Sequence, residues 1–320
     1  MVIPGALDPK EAGRSPGVIR ASGLVFRYGN GAPVLDGLDL EIGVGEVVAV
    51  VGPRGSGKST LLRLLAGLLE PTAGTLELPA RRSSGGRVML GFVAEVEPHF
   101  ESMTGVQNAL FFARAAGMRR VDAAASVAEH FGLLGLKEDA GRPVSEYSFE
   151  ARRRLLLVEA LAHRPALTLL DNPFLGLDQS SRSALIQILR LQSVKRGTVV
   201  IASPELALIP ELADRILFLH QGRIVTGGRV AELLSSLGTS TRIEISFERR
   251  PQRIEAQFRP GTRVISEGDP LVLESSRGPA VVGEVCAALV ATGAVIKGVT
   301  VREADLEEVF RRVTGAELIA

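Results

Sequence analysis

Gly52-Pro53-Arg54-Gly55-Ser56-Gly57-Lys58-Ser59 is the stretch on which the reading of this chain turns. It fits G-x-x-x-x-G-K-[ST], and its neighbours fit as well. Residues 46–51 before it are a short apolar, β-branched run, the mark of a buried parallel strand. Residues 59–69 after it, beginning Ser59-Thr60, have helical composition. Glycines let backbone amides turn inward around phosphate oxygens. A helix that starts there points its positive end at the anion. Lys58 then neutralises the β- and γ-phosphates, and the Ser59 hydroxyl reaches Mg²⁺. Strand, glycine loop and helix together predict a bound ATP with its magnesium.

The alternation continues on both sides. Residues 23–28 read as a strand, followed by a Gly/Asn turn at 29–31. Residues 38–42 alternate apolar and polar, as a half-buried strand does. Residues 104–116, 121–134 and 150–162 read as helices, the last with Arg on one side and Leu/Val on the other. Residues 167–170 form a buried strand ending at Asp171, 181–192 an amphipathic helix, and 198–202 and 215–219 further strands. Helices alternating with parallel strands predict an α/β domain. It spans 19–237, with a helical insertion at about 95–160, after a loose tail at 1–18. A linker follows at 238–241, and the period then changes. Strands at 242–247, 263–266, 270–274 and 295–301 join helices at 278–292 and 305–313, with Asp305 as a cap. Residues 238–320 thus predict a small C-terminal α+β domain. Leu306, Val309 and Phe310 share one face of its last helix, which either closes that domain or meets a second subunit.

Length and composition agree. A chain of 320 residues is more than one typical domain and fewer than three. A net charge of +1 argues against a dedicated nucleic-acid binder, which shows a basic face. The one cysteine, Cys286, forms no internal disulfide and lies among apolar residues as a small hydrophobe, as expected in a reducing cytoplasm. No secretory signal and no run of about 18 apolar residues is visible. Mean hydropathy of +0.22 is high for a chain without a membrane span and hints at a large buried or partner-covered surface.

From residue 21 to about 228 these motifs resemble a nucleotide-binding subunit of the ATP-binding-cassette (ABC) transporters. The final domain is similar to the tail of some ABC exporter subunits. The resemblance implies a P-loop NTPase core with a helical subdomain, binding ATP and Mg²⁺. It implies roles for the loop residues Gly52, Pro53, Arg54, Gly55, Ser56, Gly57, Lys58, Ser59 and Thr60, and puts Tyr28 where the family stacks an aromatic on adenine. An ordinary strand residue is the alternative for Tyr28. Asp171 ends a segment like the Walker B strand and supports Mg²⁺. Leu175-Gly176-Leu177-Asp178 looks like the D-loop that faces an opposing subunit; Asp178 also suits a helix N-cap. The partners implied are a second nucleotide-binding subunit, equal or different, and transmembrane permease subunits. They would hold the chain at the cytoplasmic face of the membrane. The aromatic-rich stretch with Phe92, Phe100, Phe111 and Phe112 reads equally as core or as an exposed docking patch for the permease.

Several family positions are changed. The hydrolytic glutamate after the Walker B aspartate is Asn172, a neutral amide that cannot take a proton from water. The histidine of the H-loop is Pro204, which offers no side-chain hydrogen bond. None of His99, His130, His163 and His220 stands at that position. The signature Leu-Ser-Gly-Gly-Gln is Tyr147-Ser148-Phe149-Glu150-Ala151, which keeps Ser148 only. The Q-loop glutamine is Glu95, still able to act as a metal-side ligand. Glu159 and Glu205 are the candidate substitutes for the missing base. Phosphate binding is therefore expected to survive while hydrolysis weakens. The alternatives are a fully active exporter motor and a soluble ABC regulator that serves no transporter.

Overall fold

A computed structural model describes residues 19–78, 90–94, 98–236, 241–250, 258–278, 280–303 and 305–318. They group into two compact units, one ending at Val225 and one spanning Thr226–Leu318. The tail at 1–18, the linker residues 238–240 and Glu95 lie outside the described residues.

The first unit opens with strands β1 (Ile19–Phe26), β2 (Leu35–Ile42) and β3 (Val47–Val51) and helix α1 (Lys58–Leu65). Strands β4 (Ala73–Glu77) and β5 (Leu90–Val93) follow. Helices α2 (Gly105–Ala115), α3 (Arg120–Leu133) and α4 (Phe149–Leu161) come next, then β6 (Leu167–Asp171), α5 (Gln179–Val194) and β7 (Thr198–Ser203). The unit closes with α6 (Ile209–Leu212), β8 (Arg215–His220) and β9 (Arg223–Gly228), the last running across the division at Val225.

One sheet has the order β5-β6-β7-β3-β8-β9. Strand β3 runs parallel to β7 and β8, and β6 parallel to β5 and β7. Every residue of β3, β6 and β7 is buried, as parallel strands covered on both faces require. A second, antiparallel sheet has the order β2-β1-β4. Leu61, Leu62, Leu64 and Leu65 of α1 join one apolar cluster with Val48, Leu169 and Leu217 of the large sheet and Leu24, Leu38 and Ile42 of the small one. Helix α1 is thus anchored by residues of both sheets, and its N-terminal end stays where β3 delivers it.

Helices α2 to α4 occupy the chain between β5 and β6. Thr104 and Gln107 start α2 with a reciprocal capping box. Gly105 is required there: a Cβ would overlap the Tyr147 hydroxyl and sit 2.9 Å from its Cζ. Tyr147 is buried and donates to the Asp139 carbonyl at 2.6 Å, so the glycine makes room for the phenol.

In the second unit, α7 (Val230–Ser236) precedes β10 (Thr241–Arg249), β11 (Thr262–Ser266), β12 (Leu271–Ser275), α8 (Val281–Ala291), β13 (Val295–Glu303) and α9 (Leu306–Thr314). The strands form an antiparallel sheet in the order β11-β12-β10-β13. Ile243, Ile245 and Phe247 alternate along β10 and pack with Leu271, Leu273, Val281, Val285 and Leu289 in a separate core. Asp305 caps α9, accepting from the Glu308 amide at 2.9 Å, and Leu306, Val309 and Phe310 are buried. Cys286 is half-buried on α8, and burial pushes its thiol pKa up, as suits an inert side chain. Among the described residues no helix is long and apolar enough to cross a membrane.

Candidate functional site

The loop 52–57 joins the C-terminal end of β3 to α1, on a floor made by the ends of β7 and β8. The Gly52 amide donates to the Ser203 carbonyl at 3.4 Å, and the Asn172 amide to the Ala202 carbonyl at 2.9 Å. These bonds tie Asp171, Asn172, Ser203 and the adjoining Pro204 to the loop edge of one sheet, where ligands of open α/β sheets bind. A Cβ at Gly52 would overlap the Leu219 carbonyl oxygen. Gly57 has φ 106°, and a Cβ there would lie 2.7 Å from Leu35 Cδ2 and 2.9 Å from the Val34 carbonyl oxygen. Both positions thus exclude a side chain. From the other side the Gly222 amide donates to the Ser56 carbonyl at 3.1 Å, bracing the loop against the turn between β8 and β9.

Lys58 is buried. Its Nζ donates to the carbonyls of Gly52 and Pro53 at 2.7 and 2.8 Å and to Ser56 Oγ at 3.4 Å. Burial lowers its pKa to about 8, with Asp171 drawing it upward and Arg54 pushing it down. A cation surrounded by the loop's own oxygens and by Asp171 is suited to a polyphosphate. Arg54 and Gly55 are exposed at the tip, Ser59 is half-buried, and Thr60 is buried. The Tyr28 hydroxyl lies 3.3 Å from Thr60 Oγ1 and accepts from Arg63 Nη1 at 3.2 Å, while its ring stands edge-on to Phe26. Nearly half of Tyr28 remains exposed, so a ring face is offered beside α1.

Asp171 is buried at the end of β6. Asn172 has φ 49°, a left-handed conformation that asparagine tolerates better than most residues. Its side-chain Oδ1 is buried and accepts no hydrogen bond among the described residues. Its backbone carbonyl accepts from Arg153 Nη2 at 3.2 Å. A buried carboxylate and an unsatisfied amide oxygen beside a lysine-bearing loop fit a hydrated Mg²⁺ shared with phosphate oxygens. Among the described residues no group of three acidic, His or Cys side chains could hold a metal alone.

The other expected site residues are placed separately. Ser148 caps α4, accepting from the Ala151 amide at 3.2 Å, and Asp178 caps α5, accepting from the Ser181 amide at 2.7 Å. The latter bond holds the Asp178 carboxyl below its usual pKa. A Cβ at Gly176 would lie 2.7 Å from Phe149 Cε1, so the altered signature rests on the loop before α5. Glu159 is buried against His99; Glu205 is exposed and its backbone closes a turn on Ser203. Phe92 packs on the core, whereas Phe100 and Phe111 are exposed; Phe100 stacks on Phe112, and Phe111 stands edge-on to both. The bracing turn at Gly222 and the Arg153 contact escape sequence reasoning, because no local pattern links residues so far apart.

A family model described as ABC transporter matches residues 35–175. The daunorubicin/doxorubicin resistance ATP-binding protein of Streptomyces peucetius is 31% identical over 306 residues, covering 93% of this chain and 92% of the relative. A fluoroquinolones export ATP-binding protein of Mycobacterium tuberculosis strain H37Rv is 30% identical, covering 94% of each. The Fe(3+) ions import ATP-binding protein of Streptomyces coelicolor is 37% identical over 222 residues, covering 68% of this chain and 64% of the relative. Among solved structures, an ATP-binding subunit of an ABC transporter matches with TM-score 0.63 at 24% identity, covering 69% of this chain and 93% of that one. A dimeric ATP-binding cassette with ADP and Pi matches with TM-score 0.59 at 22% identity, covering 66% and 98%.

Proposed function

The chain belongs to the ABC transporter family as an ATP-binding subunit, and from that premise we propose that it grips Mg-ATP firmly and hydrolyses it slowly. Lys58 and the backbone amides that open α1 hold the β- and γ-phosphates, and Tyr28 flanks the base. Ser59 and Asp171, with Glu95, hold Mg²⁺, which when bound neutralises charge on the phosphate oxygens. Asn172 can donate to or accept from an attacking water but cannot keep its proton. Pro204 leaves the γ-phosphate without the side-chain donor that the family uses there. Loss of one such group lowers turnover by about 10² to 10⁴.

The observation that carries this reading is the neutral Asn172 amide, set directly after buried Asp171 and tied to the sheet that bears an intact phosphate loop. The subunit faces a second nucleotide-binding subunit head to tail. Ser148, Phe149 and Glu150 then meet the partner's nucleotide, and Asp178 faces the partner as well. A homodimer would carry two weakened sites, so a partner with intact motifs suits the chain better. Exposed Phe100 and Phe111 form the docking patch for permease subunits at the cytoplasmic face of the membrane. Export is the favoured direction. The drug-resistance and drug-export relatives match over 92–94% of their own length, second unit included, whereas the iron-import relative matches over 64%.

The test is ATP turnover of the purified chain, alone and with an adjacent paralogue, using Lys58→Ala as the blank. Nucleotide binding that Lys58→Ala removes is expected, with turnover by the chain alone within about tenfold of the blank. Lys58-dependent turnover of roughly 1 s⁻¹ or more by the chain alone, at the low end of ordinary enzymes, defeats the slow-hydrolysis reading. Co-purification with a multi-span membrane protein tests the docking assignment.

A further inference from the structure

Residues 98–101, which carry Phe100 of the exposed aromatic patch, are clamped from two sides. On the α2 side, Asn108 Oδ1 accepts from the Phe100 amide at 2.8 Å and its Nδ2 donates to the Phe100 carbonyl at 3.1 Å. Asn108 is completely buried. On the α4 side, His99 Nδ1 lies 3.1 Å from Glu159 Oε1 and His99 Nε2 lies 3.2 Å from the Arg152 carbonyl oxygen. The His99 and Glu159 side chains are 1% and 3% exposed. Arg152 also reaches back, donating to both oxygens of Glu101 at 2.5 and 2.9 Å and holding that carboxyl below the usual carboxylate range.

The acceptor arithmetic at His99 is restrictive. A carbonyl oxygen only accepts, so Nε2 must carry a proton. One further proton must then lie between Nδ1 and the Glu159 carboxyl, whichever atom holds it. Without it, two lone pairs face each other in a buried site, where an unmade hydrogen bond costs most. The ring is therefore held in one orientation by these contacts to α4, which fall about one and three turns into the helix. The first turn of that helix presents Ser148.

We propose that His99 is a positioning residue that pins the Phe100 segment to α4, so that a load on the aromatic patch is carried to the turn bearing Ser148. The linkage lies wholly within this chain and stands whether or not a permease is what loads the patch. It makes Glu159→Gln the informative variant. A glutamine amide can donate to a neutral Nδ1 while Nε2–H still donates to Arg152, so both bonds survive without the shared proton. His99→Leu removes both bonds and leaves the Glu159 carboxyl without its ring partner.

The experiment is hydrogen exchange on the full chain, followed at three amides. The Phe100 amide reports the clamped segment, the Ala151 amide reports the Ser148 cap, and the Leu61 amide, bonded to the Gly57 carbonyl at 2.9 Å, reports the phosphate-loop helix. In His99→Leu, exchange at Phe100 and Ala151 is expected to quicken together by about tenfold or more, with Leu61 unchanged. Glu159→Gln is expected to stay within about threefold of wild type at all three. Unchanged exchange at Ala151 in His99→Leu overturns the proposal. So does equal quickening at Leu61, which marks a merely structural role, or Glu159→Gln behaving like His99→Leu. Histidine-labelled wild-type protein supplies an arm that needs no variant: nuclear magnetic resonance should find a proton on His99 Nε2, and a bare Nε2 sinks the idea.

Discussion

Lys58 and Asn172 carry the two halves of the functional argument, and each makes a prediction. Burial leaves the Lys58 ammonium with a pKa near 8, close enough to neutrality to titrate in ordinary buffers. Nucleotide prefers the charged form and raises that pKa on binding. ATP affinity should therefore be flat below pH 8 and fall by up to about tenfold per unit above it, until the bound-state value is reached. Calorimetric titration between pH 6.5 and 9.5 measures this; an affinity that stays flat across the whole range contradicts it. The sign for stability is opposite. The unfolded chain still holds the Lys58 proton between about 8 and 10.5 where the folded chain has released it, so the nucleotide-free protein gains stability as pH rises through that window. At Asn172, a glutamate must adopt the same left-handed backbone, and Asn172→Glu should lower stability by about 1 kcal/mol while raising turnover only in part, because Pro204 still offers no donor. A melting curve and a phosphate-release assay check both. These residues were legible from the sequence because the motif around them is local. Glu159 was readable as a carboxylate but not as His99's partner, since 60 positions separate the two.

At the level of elements, the glycine that opens α2 and the phenol before α4 form one fitted pair. Gly105→Ala places a methyl group on the Tyr147 hydroxyl and should destabilise the chain by about 1–3 kcal/mol. Tyr147→Leu removes the hydroxyl and its bond to Asp139, and should cost less in the presence of Gly105→Ala than alone. A double-mutant cycle by denaturant unfolding reads this coupling; strict additivity contradicts it. Strands β3, β6 and β7 were legible because each is an unbroken apolar run buried on both faces. Strand β4 was missed for the opposite reason. Four of its five residues are exposed and only Leu76 is half-buried, so no apolar period marks it, and its pairing with β1 is what makes it a strand. Strand β9 is similarly half-covered, and α1 stops at Leu65 rather than at 69 because Gly67 turns left-handed just beyond it.

Across the whole molecule, the apolar clusters around Leu61 and around Leu273 share no residue. Leu273 is fully buried, and Leu273→Ala should cost about 2–5 kcal/mol in the second unit while leaving ATP affinity within about twofold. Scanning calorimetry with and without nucleotide tests this; a matching loss of ATP binding contradicts it. The change of period after the linker signalled this second core, since alternation along β10 is visible in the residues themselves. What the residues did not signal is where one unit gives way to the other, because that point falls inside β9 and not in a run of glycine and serine. A strand that straddles the boundary makes a poor place for a gene fusion. A splice made at Val225 would leave the donor's outermost ribbon half built, with its remaining residues transplanted into a foreign partner. Chimaeras that exchange the C-terminal part between exporters should therefore be joined beyond Gly228, and a lineage trading such parts by recombination would keep its viable crossovers there too.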